Sequence, residues 1–116
     1  MQDWDESTPI YLQLRGTVVR RILSGSLQAG DALPSVRQVA AEEKINPLTI
    51  SKAYQLLVDE GLVEKRRGLG MFVCDGAQAL ALERERDTFL TQEWPRVRDR
   101  IDDLGLDVST LLQETN

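Results

Sequence analysis

The sequence predicts a mainly α-helical fold with one small β-hairpin, and three patterns carry that prediction. Two short helices begin at strong caps, Ser35 and Asn46-Pro47, and are joined by the tight connection Lys44-Ile45-Asn46. After the second of them the apolar period switches from 3.6 to 2, on either side of the glycine-bearing stretch Arg67-Gly68-Leu69-Gly70. Further on, Leu90, Trp94, Val97, Ile101 and Leu104 alternate at spacings of 4, 3, 4 and 3, the mark of a helix that lies against another helix.

The first helix is expected to start at Ser7-Thr8-Pro9, where a hydroxyl residue suits the N-cap and proline the first helical position. Tyr11, Leu14, Val18 and Ile22 share one face; Leu12, Val19 and Leu23 form a second apolar stripe, and Ser24-Gly25 ends the helix. Gly30-Asp31 marks a turn, and Leu33, standing before Pro34, is extended, which predicts a very short strand near Ala32-Leu33. Ser35-Val36-Arg37-Gln38 is a capping box opening a helix to about Glu43, with Val36, Val39 and Ala40 inward. Asparagine and proline at 46 and 47 repeat the cap for a helix that runs to about Glu60 and stops at Gly61. Residues 62–66 and 71–74 then alternate as the two strands of a hairpin. Two capped helices joined by a three-residue turn and followed by a hairpin wing make a winged helix-turn-helix. It is assigned to residues 1–75, and a short helical segment to residues 76–116.

A chain of 116 residues suffices for one compact core plus a small helical appendage. No stretch approaches the roughly 18–20 apolar residues of a membrane span. The first eleven residues hold no apolar run of the secretory kind, and the single cysteine, Cys74, has no internal partner, so a cytoplasmic location is expected and no membrane partner. Cys74 itself reads as a small strand hydrophobe. With no histidine and one cysteine, a Cys/His metal site and a Ser-His or Cys-His nucleophile pair are excluded; no metal, no cofactor and no enzyme activity are expected. Gly68-Leu69-Gly70 lacks the Lys-Ser/Thr of a phosphate loop. No pocket for a small-molecule effector is legible in the pattern. The net charge of −5 is unevenly spread: residues 1–75 carry nine Lys/Arg against ten Asp/Glu, residues 76–116 five against nine. Screening confines electrostatics to about 8 Å, so a near-neutral segment can still present a basic face. The acidic tail is a poor surface for a polyanion.

With Ile50 turned inward, Ala53, Tyr54 and Leu57 fall beside it and form a core face. The opposite face carries Leu48, Lys52 and Gln55, flanked by Thr49 and Ser51. Compact polar residues and a cation in the N-terminal half suit a helix that reads base edges in a major groove. The dipole and free N–H groups of that terminus favour a nearby phosphate. Taken alone, Lys52 and Gln55 are compatible with a merely solvated face. Arg37 on the preceding helix and Arg66-Arg67 on the wing supply cations from two neighbouring elements, and that convergence favours double-stranded DNA as the partner.

These residues resemble the N-terminal domain of the GntR family of bacterial regulators. The resemblance runs over about residues 9–74. It lies in Pro9-Ile10-Tyr11-Leu12-Gln13, Gly25-Ser26-Leu27, Leu33-Pro34-Ser35-Val36-Arg37, Ala53-Tyr54, Glu60-Gly61-Leu62-Val63 and Gly68-Leu69-Gly70-Met71-Phe72-Val73. Asn46-Pro47-Leu48-Thr49 followed by Lys52-Ala53-Tyr54 is similar to the YtrA-type branch, whose members carry a short helical dimerisation tail in place of a large effector domain. The resemblance implies that Arg37 contacts DNA at the start of the second helix. It also implies that Thr49 lies at the DNA surface and that Gly68 and Gly70 let the wing tip approach the minor groove. Many family members have arginine where Pro47 stands, and some where Ser51 stands, so those base contacts do not carry over. The expected contact set is Ser35, Arg37, Asn46, Leu48, Thr49, Ser51, Lys52, Gln55, Arg66, Arg67, Gly68 and Gly70, on a palindromic operator bound by a repressor.

In the helix-rich tail, Pro95 interrupts the 4-3 seam and is expected to kink or split the helix near Trp94. Gly105 ends that segment, and Asp107 caps a last helix with Val108, Leu111 and Leu112 inward. About 40 residues cannot enclose a core alone. They either fold back on the winged helix or pair with a second copy. Two-fold DNA readers set their recognition helices about 34 Å apart, which favours a homodimer. Its expected interface is Leu90, Trp94, Val97, Ile101, Leu104, Leu111 and Leu112, anchored on Trp94. A second function remains open at this point: an adaptor whose winged helix docks a protein and leaves DNA alone.

Overall fold

The computed structural model describes residues 4–114. The chain divides into two compact units, the first ending at Leu82 and the second beginning at Glu83. The first holds helices α1 (Ile10–Ser24), α2 (Val36–Glu43) and α3 (Pro47–Asp59), strands β1 (Val63–Arg66) and β2 (Gly70–Val73), and the start of α4 (Ala77–Thr88). The second holds the rest of α4, a π-helical turn (Phe89–Glu93), α5 (Trp94–Asp103) and α6 (Val108–Glu114). The mainly helical class with a single hairpin is the one the sequence predicts.

The core of the first unit lies between α1 and α3. Leu14, Val18, Val19 and Ile22 from α1 meet Ile50, Ala53, Tyr54 and Leu57 from α3, and Leu62, Val63 and Val73 close one side. The second stripe expected on α1 is only partly covered: Val19 is buried, Leu23 half-buried and Leu12 exposed. The boundary expected after residue 75 also differs. Ala77 and Ala81 are buried in the same core, so the unit reaches Leu82. Alanine's short side chain permits this close helix approach.

The caps follow the sequence with two departures. Ser35 Oγ accepts the Gln38 N–H at 3.0 Å and Asn46 Oδ1 accepts the Leu48 N–H at 2.9 Å. The capping box at Ser35 is half formed, because the Gln38 amide turns instead to Glu42 Oε1 at 3.1 Å. At α1 the expected hydroxyl cap is absent. Pro9 is itself the N-cap, and its carbonyl receives the Leu12 and Gln13 N–H groups. The Gln13 amide ties down the lead-in. It accepts the Asp5 N–H at 2.8 Å and donates to the carbonyls of Asp5 and Thr8. Three such bonds outweigh a single hydroxyl cap, which contributes about 1 kcal/mol.

The hairpin pairs Val63 with Val73 and Arg66 with Gly70 in antiparallel register. The short strand expected near Ala32-Leu33 is present as a bridge from Ala32 to Phe72, flanked by Leu33 N–H to Met71 O at 2.8 Å and Gly30 N–H to Val73 O at 2.9 Å. The wing is thus held on its β2 side by the chain leading into α2.

Tyr54 links this lead-in to α3: its hydroxyl donates to the Pro34 carbonyl at 2.6 Å. Burial pushes the phenol up to about 12, against the opposing pull of Arg21, so it keeps its proton. A phenol raised in the folded state contributes stability that is complete below its ordinary value near 10 and is lost as pH climbs through about 12. Tyr54→Phe should therefore lower the unfolding free energy by about 1–2 kcal/mol in urea at neutral pH, because the Pro34 carbonyl is left without its donor. An unchanged urea midpoint would count against this bond.

In the second unit the helix continues through Pro95, so of the two outcomes expected there, a kink or a split, it does not split. Proline has no N–H to give, and its ring would strike the carbonyl of Thr91 four residues back. The turn just before it widens instead, and the Trp94 N–H reaches the Phe89 carbonyl five residues back.

Candidate nucleic-acid interface

The outward face of α3 is presented as its periodicity predicts. Ile50, Ala53, Tyr54 and Leu57 are buried; Leu48, Ser51, Lys52 and Gln55 are exposed, and Thr49 is half-buried. Proline at the first position and the Asn46 cap hold the first turn rigidly. Several of the side chains on this face already have partners. Lys52 Nζ lies 4.0 Å from the centroid of the Tyr11 ring on α1, a cation–π contact. Gln55 Nε2 donates to Asp59 Oδ1 at 2.9 Å, one turn along the same helix.

Arg37 is exposed at the second position of α2, two residues after the Ser35 cap. Because α2 packs on α3 and Tyr54 fixes Pro34, the start of α2 is braced against the middle of α3. On the wing, Arg66 pairs with Glu64 Oε1 at 2.9 Å and stacks over the Phe72 ring at 4.4 Å, while Arg67 is exposed at the turn. Gly68 and Gly70 have φ of 77° and 121°, a region that strains any residue with a Cβ. Glycine is therefore required at both places for the hairpin to turn so tightly. The wing tip between them is Leu69, which is 73% exposed.

Two contributors escaped the sequence reading. Tyr11 reads only as part of an apolar stripe, and nothing in linear spacing shows that its ring meets Lys52. Glu64 reads as an alternating strand residue, although a carboxylate two residues from Arg66 on the same strand face is a recognisable signal for pairing. Burial, then Glu64 and Asp75, push the Cys74 thiol up against the opposing pull of Arg66, which keeps it protonated. Among the described residues no group of His, Cys, Asp and Glu is placed to hold a metal ion, and no helix is long and apolar enough to cross a membrane.

In the second unit Leu90, Val97, Leu104 and Leu112 are exposed, and Trp94 and Leu111 are half-buried. Ile101, expected on the same seam, is already buried within the single chain.

Residues 10–73 match the family model described as bacterial regulatory proteins, gntR family, and so more than half of the chain is covered. The chain belongs to the GntR family. The chain is 42% identical over 77 residues to the HTH-type transcriptional repressor YtrA of Bacillus subtilis (strain 168), a match covering 66% of this chain and 59% of that protein. It is 41% identical over 75 residues to the HTH-type transcriptional regulator YhcF of the same organism, covering 65% of this chain and 62% of the relative. The chain thus spans about three fifths of the length of these two relatives. Among solved structures, a GntR family transcriptional regulator from Listeria monocytogenes superposes with a TM-score of 0.76 at 27% identity, over 95% of both chains. GntR proteins and these relatives are transcription regulators rather than enzymes.

Proposed function

We propose that this GntR protein is a sequence-specific, DNA-binding transcriptional regulator of the cytoplasm, which binds a palindromic operator as a homodimer and represses by occluding a promoter. The observation that carries this reading is the division of α3 into two faces. Its inner residues are fully buried and its outer residues are free of the core, so the helix is rigidly anchored yet presented. Arg37 and Ser35 at the start of α2, Asn46 at the cap of α3, Leu48, Thr49, Ser51, Lys52 and Gln55 on α3, and Arg66, Arg67, Gly68 and Gly70 on the wing form the contact set. The exposed apolar residues of the second unit, led by Leu90, Val97, Leu104 and Leu112 with Trp94 as anchor, support pairing with a second copy.

A nuclease footprint on the DNA upstream of its own gene, combined with light scattering of the free protein, tests both parts. The expected result is a dimer and two protected half-sites about 34 Å apart on one face of the duplex. A monomer at micromolar concentration would remove the dimer, and protection without two-fold symmetry would remove the palindrome.

A further inference from the structure

We propose that Leu48 is a specificity-determining residue that reads the C5-methyl group of a thymine in the major groove. The inference rests on the DNA-binding reading above and adds to it the chemistry of one base position. At the cap and along the outer face of α3 the amide and ammonium side chains have partners within the protein. Asn46 Oδ1 is held by the Leu48 N–H at 2.9 Å, the Gln55 amide donates to Asp59 at 2.9 Å, and the Lys52 ammonium lies over Tyr11. Leu48, by contrast, is 76% exposed at the second position of the helix. Among the described residues of the first unit only Leu48 and Leu69 are large apolar side chains more than half exposed; Leu12 and Leu82 follow at 38% and 39%. These two leucines stand at the start of α3 and at the tip of the wing, the two elements a winged helix inserts into DNA.

A leucine cannot exchange hydrogen bonds with a base edge. The major groove offers one apolar group to it, the thymine methyl; the other edges present donors and acceptors that a leucine would only strip of water. Residues in the first turn of a recognition helix are the ones that reach base edges. The Asn46 cap and Pro47 hold the backbone of Leu48 in place, so little backbone freedom is lost on contact.

Replacing thymine by uracil removes the methyl and leaves base pairing and the minor groove unchanged, so contacts from the wing are untouched. The probe is a duplex enriched by the protein from a pool of random-sequence DNA, with each thymine replaced in turn by uracil. For the native protein, uracil at one thymine in each half-site should weaken binding about fourfold, the equivalent of roughly 0.8 kcal/mol for one buried methyl. Leu48→Ala should bind the thymine duplex several-fold more weakly, with an unchanged salt slope, and should be indifferent to uracil there. Leu48→Met, which retains a long apolar side chain, should keep the uracil penalty. An enriched duplex in which no thymine responds, or in which Leu48→Ala responds as the native protein does, overturns the assignment of Leu48 and leaves DNA binding intact. A pool from which no duplex is enriched removes sequence-specific binding itself, and this inference with it.

Discussion

Affinity for an operator duplex should fall about a thousandfold between roughly 50 and 200 mM salt. Each protomer offers Arg37, Lys52, Arg66 and Arg67 on the proposed surface, and a dimer doubles that number. Arg66 is partly neutralised by Glu64, so about six phosphates neutralised per dimer is the working figure, and the slope of log affinity against log salt is about −0.9 per phosphate. Arg37→Ala removes one such contact per protomer. Its slope should therefore be shallower by about two units for the dimer, with affinity lowered by at least about tenfold at moderate salt. Arg37 is exposed, so the thermal midpoint should stay the same. A loss of less than about tenfold across this salt range would instead indicate an apolar docking surface, the adaptor reading. The strongly acidic chain does not weaken the expectation, since screening restricts the comparison to charges within about 8 Å.

Leu57→Ala should cost about 2–5 kcal/mol of unfolding free energy. Leu57 is fully buried on α3, beside Ile50, Ala53 and Tyr54. Truncation leaves a cavity where α3 meets α1, and the surrounding side chains relax only in part. Domains of this size are stable by about 5–15 kcal/mol, so a substantial share would be lost. The urea midpoint should drop with the slope unchanged, and operator binding should fail as the protein begins to unfold on warming. Leu48→Ala on the opposite face of the same helix should change stability by no more than about 0.5 kcal/mol. Similar losses at the two leucines would contradict the division of α3 into a buried and a presented face.

Local signals were legible in the sequence, and long-range ones were not. The Ser35 and Asn46 caps, the buried face of α3 and the glycine hairpin depend on residues a few positions apart, and each is found within a residue or so of its expected place. The start of α1 was displaced because Gln13 reaches back over several residues to bind the lead-in, a choice that spacing does not reveal. The first unit extends beyond residue 75 because Ala77 and Ala81 find space in a core built mostly from α1 and α3. Likewise Lys52 reads as a free cation until the ring of Tyr11, forty-one positions away, is brought beneath it. The identity of the interface elements was therefore available from pattern, while the state of each side chain on them required the fold.

The widened turn at Phe89–Glu93 has a consequence for how the tail meets another surface. Wrapping one extra residue into a helix offsets everything beyond it by about 100° around the axis. Leu90 and Val97 are thus out of phase with the simple heptad arithmetic, and the apolar line bends around the rod instead of running straight. A second copy pairing along this line, as proposed, would have to follow that bend, and Pro95 would help to set it by sustaining the offset.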